Sequence, residues 1–427
     1  MHLIEVSPQQ DRTDSQQAAL TEHAEHIHHV LNTQGSVLLR GLTISQAAEF
    51  ADLGGCLVGQ WMPYQDRASK RSEVDGPILT STDTPASFTI PQHSESAFTN
   101  RWPARILFCC MTPAAQGGAT PFADTRKILA SLPQDLVQRF REYGVMYVRN
   151  FSPGVGMDWR DVFQVKDADA LAAYCAQACI ALEWTGEDSV RTTQVRPAVI
   201  EHPRTGEEVW FNHALALNQY VLDNSLRQHL VRQVGTLGLP HNTYFGNGQP
   251  ISRSEFDQIH VAHEKHIERF QWQQGDLLVL DNMLCTHGRD PFEGPRTVLA
   301  GLADPVTWGD LAMSVSLPEH TPEAGQQLEE RPIEAEPAVS HTQQLDLGSF
   351  LTWVADQYQT AFDLEPDLTP AFVDAGGDSV MAVELLDAAN ETFGVDYSLD
   401  DFLDADSVEQ FCKLVWDTHF NVSTHAN

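Results

Sequence analysis

The sequence predicts an α+β protein in which a β-sandwich or barrel core, decorated with helices, precedes a small helical bundle. Three observations support this fold class: many short apolar runs broken by Pro, Gly and Thr, two helix-like segments near the N-terminus, and a periodic helical block near the C-terminus. Many short strands with irregular connections are typical of sandwiches and barrels. The strand candidates are 104–111, 193–202, 208–213, 275–282 and 296–303.

Helix signals flank the strand candidates. Residues 14–35 consist mostly of helix formers and end at Gly35, and residues 45–55 form a second helical segment that closes on a Gly pair. Farther along the chain, Ser131-Leu-Pro-Gln fits a capping box with proline in the first turn. We therefore expect a helix that begins at Ser131 and ends at Gly144.

The composition changes twice toward the C-terminus. Residues 313–344 are rich in Glu, Pro, Gln and Ala with hardly any large apolar residues, which predicts an extended linker. Helical spacing then returns at 349–364 and 379–394, and Asp406-Ser-Val-Glu predicts the start of a third helix. The predicted segments are a large domain at 1–312, an acidic linker at 313–344 and a small all-α, four-helix-type domain at 345–421.

The net charge of −33 is unevenly distributed. Residues 341–427 hold 17 of the 59 acidic residues and one of the 26 basic residues. Such a surface repels phosphate backbones and anionic lipid, so we expect neither nucleic acid nor a membrane as a partner. It would suit docking onto basic patches of partner enzymes.

Two further features indicate a cytoplasmic protein. The chain has no apolar run of about 18 residues or more, and its first residues lack the pattern of a secretory signal. The seven cysteines form no CxxC pair. Buried, reduced thiols are therefore the favoured interpretation.

His93 and Glu95 lie two positions apart and are candidate metal ligands. If this stretch is extended, both side chains leave the same face of the strand. An imidazole and a carboxylate joined by a distant His make the facial triad that holds Fe(II) with open positions. The His-x-Glu pattern alone is weak, because His23/Glu25 and His266/Glu268 repeat it in helical-looking stretches and a lone pair is usually a solvated surface pair.

Three distant residues strengthen the metal hypothesis. His287 follows a buried strand in GDLLVLDNMLCTHGRDPFEGPRTVLAGL, and Arg296 comes nine residues later on the next strand. Thr120 lies in QGGAT, 27 residues after His93. An Arg near an iron site can hold a distal carboxylate of 2-oxoglutarate in two charge-assisted hydrogen bonds.

At these residues the chain resembles the taurine dioxygenase (TauD/TfdA-like) family, particularly its nonribosomal peptide and polyketide branch, such as the syringomycin-type aspartyl β-hydroxylases. The similarity runs from about 35 to 305. It is carried by three segments: HSESAFTNRWPARILFCCMTPAAQGGATPFADTRKI, RPAVIEHPRTGEEVWFNH and GDLLVLDNMLCTHGRDPFEGPRTVLAGL.

The resemblance implies a double-stranded β-helix (jelly-roll) core and a 2-oxoglutarate-dependent dioxygenase. It also implies His93, Glu95 and His287 as iron ligands, Arg296 as the anchor of the 2-oxoglutarate carboxylate and Thr120 as its hydrogen-bonding partner. The implied cofactors are Fe(II), 2-oxoglutarate and O2. Related halogenases have Ala or Gly in place of the acid, so Glu95 favours hydroxylation, while desaturation or ring formation uses the same residues.

FVDAGGDSVMAVELL contains a Ser that opens a helix after a Gly-rich loop. A bare GGDS is more often a helix cap. Here the acidic surface, the module length and the upstream linker agree, and 345–421 resembles a peptidyl- or acyl-carrier domain. The resemblance implies Ser379 as the attachment point of 4′-phosphopantetheine. It also implies a phosphopantetheinyl transferase and an adenylating or acyltransferring enzyme as partners.

The main functional hypothesis is C–H hydroxylation of an aminoacyl or acyl group tethered to a carrier as a thioester, in nonribosomal peptide or polyketide biosynthesis. One alternative is an oxygenase that acts on a free amino acid. The other is a non-catalytic oxygenase fold that merely scaffolds the carrier. Buried ionic groups argue against the scaffold, because an unused site gains nothing from them.

Overall fold

The computed structural model describes residues 2–8, 13–69, 71–82, 84–153, 157–222 and 224–311, and farther along 347–360, 367–372, 381–382, 385–386, 388–389, 402 and 405–419. The described residues form two compact units. The first comprises those of Met1–Val221 and Pro240–Ala324, and the second those of Leu222–Leu239 and Gly325–Asn427. The predicted linker 313–344 lies outside the described residues.

In the described part of the chain, strands β1 to β19 are, in order, His2–Glu5, Ser36–Arg40, Glu73–Asp75, Ile78–Thr80, Ile90–His93, Arg101–Thr112, Gln116–Gly117, Phe122–Asp124, Val145–Phe151, Ala181–Gly186, Ser189–Arg196, Val199–Glu201, Glu208–Trp210, His241–Phe245, Ile267–Glu268, Leu277–Asp281, Cys285–Arg289, Phe292–Glu293 and Thr297–Thr307. Helices α1 to α10 are Thr13–Gln34, Ala47–Gly55, Thr125–Ser131, Gln134–Tyr143, Trp159–Phe163, Ala168–Gln177, Asn224–Gly238, Arg253–Glu264, Leu347–Thr360 and Val408–His419. Short 3-10 helices span Gln219–Val221 and Trp308–Leu311.

Two antiparallel sheets build the core of the first unit. The larger sheet has the order β1-β2-β16-β6-β19-β4-β3 and is antiparallel except for its β1–β2 edge, and the smaller sheet has the order β15-β8-β17-β5. The ring of Phe108 on β6 lies 5.1 Å from that of His287 on β17, so side chains of the two sheets meet. This two-sheet arrangement confirms the predicted jelly roll with flanking helices.

The alternation of side chains along the central strands produces two apolar layers. On β6, Ile106, Phe108 and Cys110 belong to the layer between the sheets, whereas Leu107 and Cys109 belong to the opposite layer. The opposite layer contains the buried face of α1 and α2. The helices predicted at 14–35 and 45–55 therefore cover one face of the larger sheet.

Two local predictions are wrong. Ser131 does not cap a helix: it is the last residue of α3, and its hydroxyl bonds His266 Nε2 at 2.7 Å, while α4 starts after Pro133. The strand predicted over 193–202 is divided into β11 and β12, because Pro197 lacks an N–H donor and interrupts the ladder. Gly144 ends α4 as expected, with φ of +71°.

The second unit has its own apolar core. Val354 and Tyr358 of α9 pack with Phe372, Phe402 and Phe411. Helix α10 begins where predicted, with Ser407 Oγ accepting a bond from the backbone N–H of Gln410 at 3.1 Å. Leu226 of α7 belongs to the same cluster. The structure thus assigns 222–239, which the sequence places inside the first domain, to this second unit.

The described helices include none that is both long and apolar enough to cross a bilayer. All seven cysteines are free thiols, and five of them are buried.

Asp281 is the centre of a buried ionic cluster at the end of β16. Its side chain is bonded to Arg105, His202 and Arg204, and its Oδ1 accepts from the N–H of Met283 at 3.0 Å. Burial alone would raise the pKa of this carboxyl, but its bonds to His202 and Arg105 outweigh that effect and lower it. The cluster therefore stabilises the fold only while Asp281 is ionised.

We expect Asp281→Asn to destabilise the first unit by about 3–5 kcal/mol, because it leaves the buried guanidinium of Arg105 uncompensated. The stabilisation is fully present above the pKa of an aspartate in the unfolded chain, about 4. It is lost as the pH falls through the lower pKa of Asp281 in the folded protein. Urea unfolding at several pH values measures both effects. The matched control is Asp257→Asn, an exposed i,i+4 partner of Arg253, which should cost less than about 1 kcal/mol. Equal effects of the two variants would contradict the prediction.

Candidate functional site

His93, Glu95 and His287 converge at the smaller sheet. His93 ends β5 and lies opposite His287 of β17 in the antiparallel register. Glu95 Oε2 is 4.0 Å from His93 Nε2 and 3.7 Å from His287 Nε2. Among the described residues, these three form the one group of His, Cys, Asp or Glu whose ligand atoms lie close enough to hold a metal ion.

The assumption that His93 and Glu95 share an extended strand is wrong. β5 ends at His93, and residues 95–98 form a turn in which Ser96 has φ of +58°. The turn, rather than strand alternation, returns the Glu95 carboxylate toward the imidazoles. Both residues nevertheless reach the same point.

Asn282, just after β16, holds the backbone of Glu95. Its Oδ1 accepts from the Glu95 N–H at 2.7 Å, and its Nδ2 donates to the Glu95 carbonyl and to the Pro103 carbonyl, both at 2.9 Å. Asn282 is completely buried. It therefore ties the turn that carries Glu95 to the edge of the larger sheet.

A second buried contact holds the segment between the two ligands. His213 Nε2 lies 2.6 Å from the carbonyl of Ser94, so it donates a hydrogen bond there, and its ring lies 5.6 Å from that of His93. Burial lowers the pKa of His213 to about 4, which keeps the ring neutral. Of the aromatic run at 210–213, Trp210 and Phe211 belong to the apolar core, whereas His213 supports the site.

The two candidate imidazole ligands present different environments. His93 Nδ1 lies 2.8 Å from the Pro91 carbonyl, so that nitrogen donates and Nε2 is left with its lone pair. His287 is buried, and neither of its ring nitrogens has a hydrogen-bond partner in the described part of the chain. Burial lowers the pKa of both rings, and for His93 the neighbouring His287 adds to the effect. Both imidazoles are therefore neutral, as metal ligands must be.

Glu95 is paired with a buried cation that the sequence reasoning missed. Arg71 Nη2 donates to Glu95 Oε2 at 2.5 Å, and both side chains are less than 5% exposed. Burial alone would raise the pKa of Glu95, but the charge of Arg71 outweighs it, and the pKa lies well below its usual range. The carboxylate is therefore ionised at neutral pH.

Thr120 and Arg296 also lie close together. Arg296 Nη2 approaches Thr120 Oγ1 at 3.5 Å, Arg296 Nε donates to the Gly118 carbonyl at 3.0 Å, and Trp272 Nε1 donates to Thr120 Oγ1 at 3.2 Å. A Cβ on Gly118 would lie 2.9 Å from Arg296 Cδ, and its φ is +67°. Glycine therefore lets the guanidinium lie against this turn. Burial and the neighbouring Arg289 lower the pKa of Arg296 to about 10, which leaves it charged.

One cavity connects these groups. Arg289 closes part of its wall by donating to the carbonyls of Thr84 and Phe88, each at 2.7 Å, and to that of Pro85. The cavity contains imidazole, guanidinium and hydroxyl groups in its lining. The residues are Ser69, Arg71, Ser81, Thr82, Thr84, Ile90, His93, Phe108, Thr120, His287, Gly288, Arg289 and Arg296.

The other histidine groups take no part in this cavity. His26, His28 and His29 are exposed on α1, as expected of a solvated face. His263 is buried against the carbonyl of Ile259, at 2.8 Å. Ser379, the predicted attachment residue, lies outside the described residues.

Two family models match the chain. The model described as Taurine catabolism dioxygenase TauD, TfdA family matches residues 6–302, and that described as Phosphopantetheine attachment site matches residues 354–415. The chain belongs to the TauD/TfdA family. It is a 2-oxoglutarate dioxygenase with a C-terminal carrier domain, and its cofactors are Fe(II), 2-oxoglutarate, O2 and 4′-phosphopantetheine.

Relatives of this TauD/TfdA chain include the dapdiamide synthesis protein DdaC of Enterobacter agglomerans, 36% identical over 68% of the chain and 88% of that protein. A clavaminate synthase-like protein of Arabidopsis thaliana is 28% identical over 65% of the chain and 84% of that protein. A solved taurine dioxygenase from Burkholderia xenovorans is 14% identical, with a TM-score of 0.43 over 70% of the chain and 87% of that structure. Family membership rests on the sequence matches.

The donor set of this family member fits Fe(II). One carboxylate and two neutral imidazoles are the ligand types of a non-haem iron site, and a metal at the cluster would take the lone pair of His287 Nε2, which has no hydrogen-bond partner among the described residues. Arg71, Asn282 and His213 escaped the sequence reasoning because each contacts the site through a partner distant in sequence. Two of the three lie in quoted family segments, His213 in FNH and Asn282 in GDLLVLDN, whereas Arg71 lies outside them.

We expect Asn282→Ala to weaken Mn(II) binding by about 10–100-fold, because residues that orient metal ligands typically contribute that much. Calorimetric titration of the purified full chain with Mn(II) measures the change. Asn218→Ala is the matched control: Asn218 is equally buried, and its Nδ2 donates to Thr243 Oγ1 at 2.8 Å, away from the cluster. If the control weakens Mn(II) binding as much, the effect of Asn282 is not specific to Glu95.

Proposed function

We propose that this chain hydroxylates an unactivated C–H bond of an aminoacyl or acyl group held as a thioester on a carrier domain. The observation that carries the proposal is the combination, in one chain, of the buried His93–Glu95–His287 cluster and a match to the phosphopantetheine attachment model. In the balanced reaction, one oxygen atom of O2 enters the new C–OH group and the other enters succinate. The carboxyl group lost from 2-oxoglutarate leaves as CO2.

His93, Glu95 and His287 are the proposed ligands of Fe(II). When bound, Fe(II) supplies the centre at which 2-oxoglutarate and O2 react. The protein contributes a carboxylate that is ionised, two imidazoles that are neutral, and backbone bonds that hold the turn carrying Glu95. A ligating carboxylate supports hydroxylation over halogenation, because related halogenases lack the acid.

Arg296 and Thr120 are the proposed binding groups for the distal carboxylate of 2-oxoglutarate. The guanidinium remains charged, and its Nη2 and the Thr120 hydroxyl line the same cavity as the two imidazoles. A guanidinium can bind a carboxylate with two parallel hydrogen bonds, which fixes both position and orientation. Trp272 holds the hydroxyl oxygen of Thr120 from the other side.

Ser379 is the proposed attachment residue, within a domain at 345–421 joined by a linker at 313–344 to an oxygenase domain at 1–312. A carrier implies a tethered group and enzymes that load it. We propose that these are a phosphopantetheinyl transferase and an adenylating or acyltransferring enzyme of nonribosomal peptide or polyketide biosynthesis. The relationship to a dapdiamide synthesis protein supports a biosynthetic role, and attachment within one chain raises the effective concentration of the tethered group at the iron.

We expect Arg296→Met to weaken 2-oxoglutarate binding by about 10–100-fold, since it removes a charge-assisted pair. Titrating the Mn(II)-loaded chain with 2-oxoglutarate measures the change, and Mn(II) affinity in the absence of 2-oxoglutarate should not fall. Arg141→Met, which removes an exposed partner of Glu208, is the control. Unchanged 2-oxoglutarate affinity in Arg296→Met would remove Arg296 from the proposed site.

The tethered-substrate proposal predicts that oxidation depends on Ser379. The full chain is converted to its pantetheinylated form, loaded with candidate aminoacyl groups and given Fe(II), 2-oxoglutarate and O2. The intact mass of the loaded chain should increase by the mass of one oxygen atom. One succinate should be released for each oxygen atom added. Ser379→Ala, which cannot be loaded, should release no succinate above background.

The rival functions give different results in the same experiment. If free amino acids are oxidised as fast as loaded ones, the substrate is a free amino acid and the tethered-substrate proposal fails. Normal metal and 2-oxoglutarate binding without oxidation of any loaded or free substrate would favour a scaffold.

A further inference from the structure

Arg71 occupies an unusual position for a structural arginine. One of its nitrogens donates to the metal-binding carboxylate, while Nε and Nη1 are buried without a hydrogen-bond partner in the described part of the chain. Its guanidinium lies 5.0 Å from the centre of the Tyr64 ring, and the residue also lines the cavity. A buried cation with two unused donors is costly unless a further acceptor arrives.

The oxygen that Arg71 holds is the one that faces the imidazoles. Glu95 Oε2 is the atom bonded by Arg71 Nη2, and the distances of 4.0 and 3.7 Å to His93 and His287 are measured to the same atom. The Glu95 carboxylate would therefore be shared between two cations, the guanidinium of Arg71 and a metal ion bound by the three proposed ligands. Each cation weakens the hold of the other on Glu95.

The lining of the cavity carries an excess of positive charge. Its described lining includes three guanidinium groups, those of Arg71, Arg289 and Arg296, and no carboxylate. Arg289 is bonded to backbone carbonyls, which do not neutralise it. Adding a divalent cation beside Glu95 makes the cavity more positive, whereas 2-oxoglutarate then brings two negative charges.

We propose that Arg71 is a positioning residue that couples metal binding to 2-oxoglutarate binding. The guanidinium orients Glu95 toward the imidazoles but opposes a divalent cation that binds alone, and it favours the dianion that follows. Because the metal would weaken the hold of Glu95 on Arg71, the guanidinium gains more from pairing with the dianion when the metal is bound. Each ligand therefore strengthens the binding of the other, and linkage requires that this coupling be reciprocal. The inference rests on the proposed ligand roles of His93, Glu95 and His287.

The test is a binding cycle on the full chain without turnover. Mn(II) affinity is measured by calorimetry with and without saturating 2-oxoglutarate, in the absence of O2, for the parent chain and for Arg71→Met. In Arg71→Met we expect Mn(II) alone to bind about ten-fold more tightly and the strengthening by 2-oxoglutarate to fall by about ten-fold or more. Tighter Mn(II) binding together with a smaller effect of 2-oxoglutarate distinguishes lost coupling from damage to the site. Damage would weaken the binding of both ligands.

Three further variants complete the design. Arg71→Lys keeps the charge and should retain most of the coupling. Arg71→Gln removes the charge but keeps a polar side chain, and gives the same comparison if Arg71→Met fails to fold. Arg149→Met removes another buried arginine, whose Nη1 bonds Asp66 at 2.6 Å outside the cavity lining, and should leave the coupling unchanged.

Equal coupling in the parent and both neutral Arg71 variants would overturn the inference, as would a joint loss of Mn(II) and 2-oxoglutarate affinity in them. The same loss of coupling in Arg149→Met would also overturn it. A parent chain that binds neither Mn(II) nor 2-oxoglutarate would instead refute the proposed function itself.

Discussion

The negative charge of Glu95 lies where water is almost excluded, and the arrangement around it follows from that constraint. An isolated buried carboxylate would take up a proton rather than remain charged. Here the guanidinium of Arg71 compensates the charge, so the pKa falls instead of rising. The same ionised oxygen is consequently available to a metal. Stability of the pocket and the proposed binding of iron therefore depend on one carboxylate.

The fold positions the Glu95 carboxylate by hydrogen bonds to the Glu95 backbone, because Glu95 itself lies beyond the end of β5. Asn282 follows β16 of the larger sheet, whereas His93 and His287 belong to the smaller sheet. Three hydrogen bonds of Asn282 and the bond from His213 to the Ser94 carbonyl fix the intervening turn. The separation of the sheets, set by the apolar layer between them, thus determines how far the carboxylate lies from the imidazoles.

These contacts explain what the sequence could and could not predict. Short continuous apolar runs predicted β6 and β16, and helix formers predicted α1 and α2, because these patterns are local in the sequence. Ser131 failed as a cap because a distant imidazole, His266, takes its hydroxyl. The positions of Thr120 and Arg296 followed from a family resemblance, while Arg71 had no local signal: its partner Glu95 is 24 residues away.

The ionic groups of the cavity also bear on whether the fold is catalytic. Buried ion pairs are often no more stabilising than well-packed apolar residues of similar volume. A fold that served only as a scaffold for a carrier would gain nothing from keeping Arg71 and Arg296 in one cavity, with the almost completely buried Arg71 paired to Glu95. Their electrostatic cost is offset when a divalent cation and a dianion bind together. The same excess of positive charge that is costly to the fold therefore favours a divalent cation only together with a dianion.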